Sequence, residues 1–173
     1  DLDNIGTMPP SAEFLVFYRD NLEAAMRRET ELFFRHVLDH NQPPREFLDA
    51  DYSFLNRELA LHYGINGVEG NALKRVSLKG TGRGGLIGQG AFLTASANGV
   101  DTSPVVRGIY VLEKLLGYTP PSPPPDVPTI EPDIRGAVTI RGQLEKHREI
   151  ATCAECHRKI DPLGFALENF DAI

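Results

Sequence analysis

The chain has 173 residues, of which 41% are hydrophobic, and a formal net charge of −6 at pH 7. A chain of this size and composition can bury one sizeable core or two modest ones. Its acidic balance gives no electrostatic footprint for binding nucleic acid or an acidic membrane, so we set those partners aside. Charged residues or glycine interrupt every apolar stretch before the roughly 18 to 20 residues that a bilayer demands, so we expect no membrane span.

The N-terminal third predicts two helices. Ser11 is placed as the N-cap of a long amphipathic helix, because apolar residues then recur at spacings of three, four and seven: Leu15, Tyr18, Leu22, Met26, Phe33 and Val37. A shorter, packed helix is expected to begin near Asp51 and to end at Gly64, a residue suited to a left-handed C-cap. Its inward stripe consists of Leu55, Leu59 and His62.

Glycine dominates the middle of the chain. The residues R-V-S-L at 75–78 predict a brief strand, and the glycines after it predict an irregular, tightly turned segment. The residues G-T-G-R-G-G at 80–85 match a dinucleotide-binding pattern, but neither an uninterrupted helix nor a βαβ unit surrounds them, so we interpret them as a tight loop. A helix is expected from Ser103-Pro104 to Gly117, with four inward residues: Val105, Ile109, Leu112 and Leu116.

Prolines crowd the next stretch, residues 118–138, and predict a semi-rigid connector. Beyond it, Thr139 can cap a helix, and Asp161-Pro162 can open a last one. The first of these two helices carries on one face Ile140, Leu144 and His147. The chain begins with Asp1 rather than methionine, so we expect it to be a piece of a longer protein.

The only two cysteines of the chain lie between these two predicted helices, in the sequence C-A-E-C-H. Two cysteines separated by two residues and followed at once by histidine suit covalent haem attachment, because both thiols can add to the vinyl groups of one macrocycle while the adjacent imidazole binds its iron. Cys153 and Cys156 would form the thioether bonds and His157 would be the proximal ligand. We therefore predict one covalent haem c.

Three other interpretations stay open. A structural zinc ion would have to recruit two distant histidines, because no second cysteine pair exists. A thioredoxin-like pair would normally open a helix after a strand, whereas prolines and helices precede this one. The cluster could also be accidental. Since haem is attached covalently outside the cytoplasm, the haem interpretation predicts a periplasmic or otherwise exported protein.

The predicted fold is mainly α-helical and has three parts. Residues 1–117 form a helical scaffold with irregular glycine-rich loops, and residues 118–138 form the connector. Residues 139–173 form a cytochrome c-like haem-binding segment packed on the scaffold. Four apolar residues after the motif could bury a porphyrin face or form ordinary core: Leu163, Phe165, Leu167 and Phe170.

Several segments together resemble a known family. They are F-L-N-R-E-L-A-L-H-Y-G-I, R-G-G-L-I-G-Q-G-A-F-L-T, T-S-P-V-V-R-G-I-Y-V-L-E-K-L-L-G and C-A-E-C-H-R-K-I-D-P-L-G-F-A-L-E-N-F-D-A-I. From Tyr52 to its end, the chain resembles the C-terminal region of large exported cytochrome-like proteins of planctomycetes and myxobacteria, which contain domains of unknown function. The resemblance implies an exported protein with one covalent haem attached at Cys153, Cys156 and His157.

The second axial ligand must come from upstream, because neither histidine nor methionine follows His157. His147 is the first candidate, since it lies on an apolar stripe ten residues earlier. His62 is the second, from the inward stripe of its own helix. Met26 is expected in the core. A pair of histidines four residues apart, His36 and His40, is interpreted as part of a solvated face.

The predicted function is single-electron transfer by a c-type cytochrome module within a larger exported redox protein or complex. Its expected partner is a redox protein or another subunit of that assembly, and we expect electron transfer rather than catalysis by the chain itself. Two alternatives remain. An open sixth position would suit a peroxidase-like haem enzyme or a small-ligand sensor, and a metal that only completes the core would suit a structural interaction domain.

Overall fold

Two units make up the chain in the computed structural model. The first comprises Asp1–Thr102 with Phe170–Ile173, and the second comprises Ser103–Asn169. The structure describes residues 12, 14, 21–97, 101–121 and 139–170.

The first unit combines short helices with one small sheet. Its elements are α1 (Leu22–Asp39), α2 (Glu46–Asp49), β1 (Tyr52–Leu55), α3 (Arg57–His62), β2 (Lys74–Ser77) and α4 (Gly90–Ala95). β1 and β2 pair antiparallel, so that Tyr52 lies opposite Ser77 and Leu55 opposite Lys74. The strand predicted at 75–78 is thereby confirmed, with its bounds shifted by one residue.

Helix α1 supplies one wall of the core. Its buried apolar residues recur at helical spacing, as predicted, and are Leu22, Ala25, Met26, Phe33 and Val37. The helix begins at Leu22, however, because Asn21 has a φ of 52° and is left-handed. The prediction of one uninterrupted helix from Ser11 is therefore wrong at residue 21, and residues 15–20 lie outside the described part of the chain.

The helix predicted from Asp51 divides into a strand and a helix. Tyr52–Leu55 is strand β1, and Asn56 caps α3 by accepting a hydrogen bond from the Leu59 backbone N–H at 3.0 Å. The spacing from Leu55 to Leu59 runs across this boundary and imitates a single helical stripe. The left-handed Gly64 is confirmed, with a φ of 72°.

The glycine-rich segment is a series of turns, as predicted. At Gly85 the φ is 55°, and a Cβ there would overlap the backbone of Leu48, so only glycine fits without strain. The sequence did not predict that Gly90–Ala95 would follow as helix α4.

The second unit contains α5 (Pro104–Tyr110), a π-helical turn (Val111–Leu115), α6 (Ile140–His147) and α7 (Ala151–Phe165). The predicted caps are confirmed. The hydroxyl of Ser103 accepts from the Val106 N–H at 3.5 Å, and that of Thr139 accepts from the Gly142 N–H at 3.1 Å.

The sequence predicted that the two cysteines lie between two helices. In the structure they lie within helix α7. The predicted start at Asp161-Pro162 is wrong, because α7 begins at Ala151 and continues through Pro162 to Phe165. A proline inside a helix removes one hydrogen bond and costs about 3 kcal/mol. Close packing of α7 on α5 can offset that cost, since a Cβ at Gly108 or Gly164 would overlap backbone of the other helix.

A π-helical turn changes which residues of the predicted helix 104–117 face inward. A π turn bonds residue i to residue i+5 and so inserts one extra residue, which rotates the later residues by about 100° around the helix axis. Leu112 is buried as predicted, but Leu116 is 62% exposed, so its predicted inward position is wrong. Gly117, with a φ of 68°, ends the segment as expected.

The fold is mainly α-helical, as the sequence predicted. The division at residues 117 and 138 stays a prediction, because residues 122–138 lie outside the described part. One observation bears on it: α5, which the prediction placed in the scaffold, packs against the cysteine-bearing α7. In the described residues, no helix has both the length and the apolar character to cross a membrane.

Candidate haem-attachment site

Three predicted site residues share one stretch of helix α7. Cys153, Cys156 and His157 stand at positions i, i+3 and i+4, a spacing that places side chains on one side of a helix. Cys153 is 7% exposed, whereas Cys156 and His157 are half-buried. Both cysteines are free thiols, so neither sulfur is committed to a disulfide.

A buried carboxylate holds the ring of His157. Nδ1 of His157 lies 2.8 Å from Oδ1 of Asp161, one helical turn later and fully buried. A carboxylate oxygen accepts, so the Nδ1–H of the imidazole donates this bond. In the neutral imidazole the lone pair then lies on Nε2, which can bind a metal.

The other oxygen of the same carboxylate faces an arginine. Nε of Arg148 stands 3.6 Å from Oδ2 of Asp161, which is too long for a hydrogen bond. Among the described residues, Oδ2 has no hydrogen-bond partner. His157 therefore makes the short, directional contact to Asp161, and Arg148 contributes charge from a greater distance.

The first candidate for the sixth ligand lies beside His157. The rings of His147 and His157 meet edge to face, with centroids 4.7 Å apart. Burial and, to a lesser degree, the His157 ring lower the pKa of His147, which favours the neutral imidazole. The contact between the two rings does not by itself support their binding one iron together, and the role of His147 as a ligand stays a prediction.

The second candidate, His62, ends helix α3 in the first unit. It is half-buried. Burial lowers its pKa, and the charge of the nearby Arg83 lowers the pKa further. Its role as an axial ligand also stays a prediction. Met26, by contrast, lies fully buried in the core as expected, and its sulfur accepts a hydrogen bond from the Thr94 hydroxyl at 3.8 Å.

A cleft of about 380 Å³ opens beside Cys156. Its wall contains residues from α7, from the π turn and from the start of the proline-rich stretch: Leu112, Tyr118, Pro120, Pro121, Thr152, Glu155, Cys156, Lys159 and Ile160. The ammonium of Lys159 lies 3.4 Å from the Tyr118 hydroxyl at the rim. Cys153 and His157 are outside this lining, so the cleft can receive a group attached at Cys156 but does not enclose the whole set.

These observations fit a covalent haem. A free thiol pair and an imidazole whose Nε2 is not engaged by Asp161 lie together on one helix, next to a cleft lined by both apolar and polar residues. By comparison, no group of three or more histidine, cysteine, aspartate or glutamate residues suited to a metal ion occurs in the described part of the chain. The structure thus offers zinc no complete ligand set in that part.

Two arginines flank the cysteine sequence, and each lies against another side chain. Arg141 stacks over the ring of Phe165 at 4.1 Å, and Arg148 faces Asp161. The role of Asp161 was missed, because the Asp-Pro pair was interpreted as a helix start. The available signal was the H-x-x-x-D spacing, which brings the two side chains together once the segment is helical.

Two family models match the chain, and they support the family resemblance noted from its sequence. The family model PSCyt3, described as a protein of unknown function (DUF1588), matches residues 83–173, and PSD4, described as a protein of unknown function (DUF1592), matches residues 1–65. Both domains occur in cytochrome c-like exported proteins of the planctomycete type. No curated protein and no solved structure matches the chain. The PSCyt3 match covers more than half of the chain, which therefore belongs to this family of proteins of unknown function.

Proposed function

We propose that the chain is a c-type cytochrome module that carries one covalent haem and transfers single electrons within a larger exported redox protein or complex. One observation carries the proposal: His157 is held by the buried Asp161 at 2.8 Å, on the same helix as two free thiols at the attachment spacing. A redox protein or another subunit of the same assembly would be its partner.

Each residue has a defined part in this proposal. The sulfurs of Cys153 and Cys156 form the two thioether bonds, and Nε2 of His157 is the iron ligand. A bound haem supplies a one-electron iron couple. Helix α7, which carries these residues, packs closely on α5 at Gly108 and Gly164.

The first test is whether the chain retains haem. It is expressed for export in a bacterium with haem-attachment machinery, extracted with acid acetone to remove non-covalent haem, and measured as the pyridine haemochrome. The wild type should retain a c-type spectrum. The double variant Cys153→Ala, Cys156→Ala should retain none, while Arg158→Ala, exposed on the same helix and outside the cleft, should match the wild type. A wild-type chain without retained haem would contradict the proposal.

The second test separates electron transfer from ligand chemistry. An iron with two protein ligands leaves no position for an added ligand, so the reduced protein should bind carbon monoxide poorly. Fast and complete binding of carbon monoxide would contradict electron transfer as the main role and favour the five-coordinate alternative, a peroxidase-like enzyme or sensor. If binding is poor in the wild type, the variants His147→Ala and His62→Ala show which histidine, if either, had closed the position.

A further inference from the structure

Burial of the Asp161 carboxylate carries a large desolvation cost. Its side chain is fully buried on α7, and moving a charged group out of water costs several kcal/mol unless partners compensate. Ordinary core packing would favour an apolar residue here. The carboxylate must therefore be compensated by its neighbours, and the structure shows two of them.

These two neighbours contribute unequally. Nδ1 of His157 lies 2.8 Å from Oδ1, at normal hydrogen-bond length, whereas Nε of Arg148 lies 3.6 Å from Oδ2 and is about one-third exposed. An exposed partner beyond hydrogen-bond length is weak. The buried bond to His157 is the stronger one, because the low dielectric of the interior strengthens it.

We infer that Asp161 is a positioning residue for the metal ligand: it fixes the His157 ring with the proton on Nδ1 and the lone pair on Nε2, and it lowers the reduction potential of a haem bound there. The second half of this inference rests on the proposed function, while the first half concerns the chain alone.

The effect on potential follows from the strength of the imidazole as a ligand. A carboxylate that accepts from Nδ1–H at 2.8 Å gives the ring electron density and makes Nε2 a stronger electron-pair donor to a metal. A stronger donor stabilises the ferric iron more than the ferrous iron. The position is buried, so water does not screen the carboxylate as it would at the surface.

The first measurement tests the ring without haem. The unloaded chain is labelled with 15N-histidine, and two-dimensional NMR under alkaline conditions reports which ring nitrogen of His157 carries the proton. We expect Nδ1–H in the wild type and in Arg148→Gln, which leaves the Asp161 bond in place. Asp161→Ala should shift the population toward Nε2–H. A wild-type ring protonated mainly on Nε2 would overturn the inference, and this result needs no folded variant.

The second measurement uses the haem-loaded chain. Asp161→Asn keeps the size of the side chain but replaces the carboxylate with a weaker acceptor. We expect its reduction potential to rise enough to change the ratio of reduced to oxidised protein about tenfold at a fixed applied potential, which is about 59 mV for one electron. Asp161→Glu, which restores a carboxylate, should recover part of the difference.

The possible failures are distinguishable. If the wild type carries no haem, the proposed function fails, and the NMR result alone decides the positioning role. If Asp161→Asn carries the normal amount of covalent haem at an unchanged potential, the tuning of potential is refuted although the proposed function stands. If the reduction potential of Arg148→Gln rose as much as that of Asp161→Asn, the effect would be assigned to the arginine, and the role of Asp161 would be overturned.

Discussion

Glu29 is the most unusual residue of the first unit, because it is a fully buried acid within the apolar face of α1. Its two oxygens accept hydrogen bonds from the hydroxyls of Ser53 and Tyr63, each at 2.6 Å. The backbone N–H of Gly90 donates in turn to the Tyr63 oxygen at 2.6 Å. Burial outweighs these bonds and raises the pKa of Glu29 to about 7.

The raised pKa of Glu29 makes stability depend on pH. The unfolded chain releases this proton near pH 4.5, and the folded protein keeps it up to about pH 7. The free energy of unfolding should therefore fall by about 3 kcal/mol as pH rises through this interval. Glu29→Gln, which cannot ionise, should abolish this component, as urea unfolding followed by circular dichroism at several pH values would show.

A matched variant isolates this effect. Three histidines have a lowered pKa, and they make the free energy of unfolding rise with pH instead of fall: His36, His62 and His147. The effect of Glu29 is therefore measured as the difference between wild type and variant. Glu31→Gln, exposed on the same helix, should keep the wild-type dependence. Parallel stability curves for wild type and Glu29→Gln would show that Glu29 ionises normally.

At the level of residues, spacing predicted sites whose residues are close in sequence and missed contacts between residues that are distant in sequence. Cys153, Cys156 and His157 lie within five consecutive residues, so their pattern suggested chemistry directly. Glu29 binds residues 24 and 34 positions away, and the buried Arg107 binds Glu168 at 2.8 Å, 61 positions away. A sequence pattern predicts polar groups to be exposed unless the folded chain supplies partners, and those partners are invisible before folding.

Helices α5 and α7 approach each other through glycine. A Cβ at Gly164 would overlap the carbonyl group of Pro104, and one at Gly108 would overlap that of Ile160. Backbone cannot yield as a flexible side chain can. Gly164→Ala should therefore lower the free energy of unfolding by about 3 kcal/mol or more, although alanine is the better helix former by about 1 kcal/mol.

Thermal and urea unfolding would measure the effect of this substitution. Arg158→Ala, exposed on the same helix, serves as the control and should change stability by no more than about 0.5 kcal/mol. Unchanged or increased stability of Gly164→Ala would mean that the two helices are farther apart than the structure shows. Reduced covalent haem in Gly164→Ala would also link this packing to attachment.

The start of a helix could be predicted where a nearby side chain caps it. A strand could not be predicted where its partner strand is distant in sequence. Ser103 and Thr139 cap helices as their sequence context indicates. Tyr52–Leu55, in contrast, becomes a strand because it pairs with Lys74–Ser77, some twenty residues later. The π turn at Val111–Leu115 is likewise invisible to a pattern that assumes 3.6 residues per turn, and it moves Leu116 outward.

On the scale of the whole molecule, helical periodicity and capping residues predicted the class of fold but not its division. A mainly helical chain was expected and observed, while the grouping of Ser103 onward with the cysteine helix was not expected. The reason is the pair of glycine contacts between α5 and α7, which no periodicity reveals. The net charge, by contrast, follows from the sequence alone, and it affects the rate of electron exchange with charged molecules.

The net charge of −6 predicts how a haem-loaded chain exchanges electrons with small ions. An acidic protein concentrates cations around itself and repels anions. In stopped-flow mixing of the reduced protein, oxidation by the cation hexaammineruthenium(III) should slow as salt rises from about 10 mM to about 1 M, because the screening length falls from about 30 Å to about 3 Å. Oxidation by the anion hexacyanoferrate(III) should accelerate over the same range, and a neutral oxidant should show no trend. Opposite trends for the two ions would mean that the region through which electrons leave carries negative charge, which favours a partner with a basic surface. If both rates were independent of salt, that region would carry no net charge, and net charge could not determine the choice of partner.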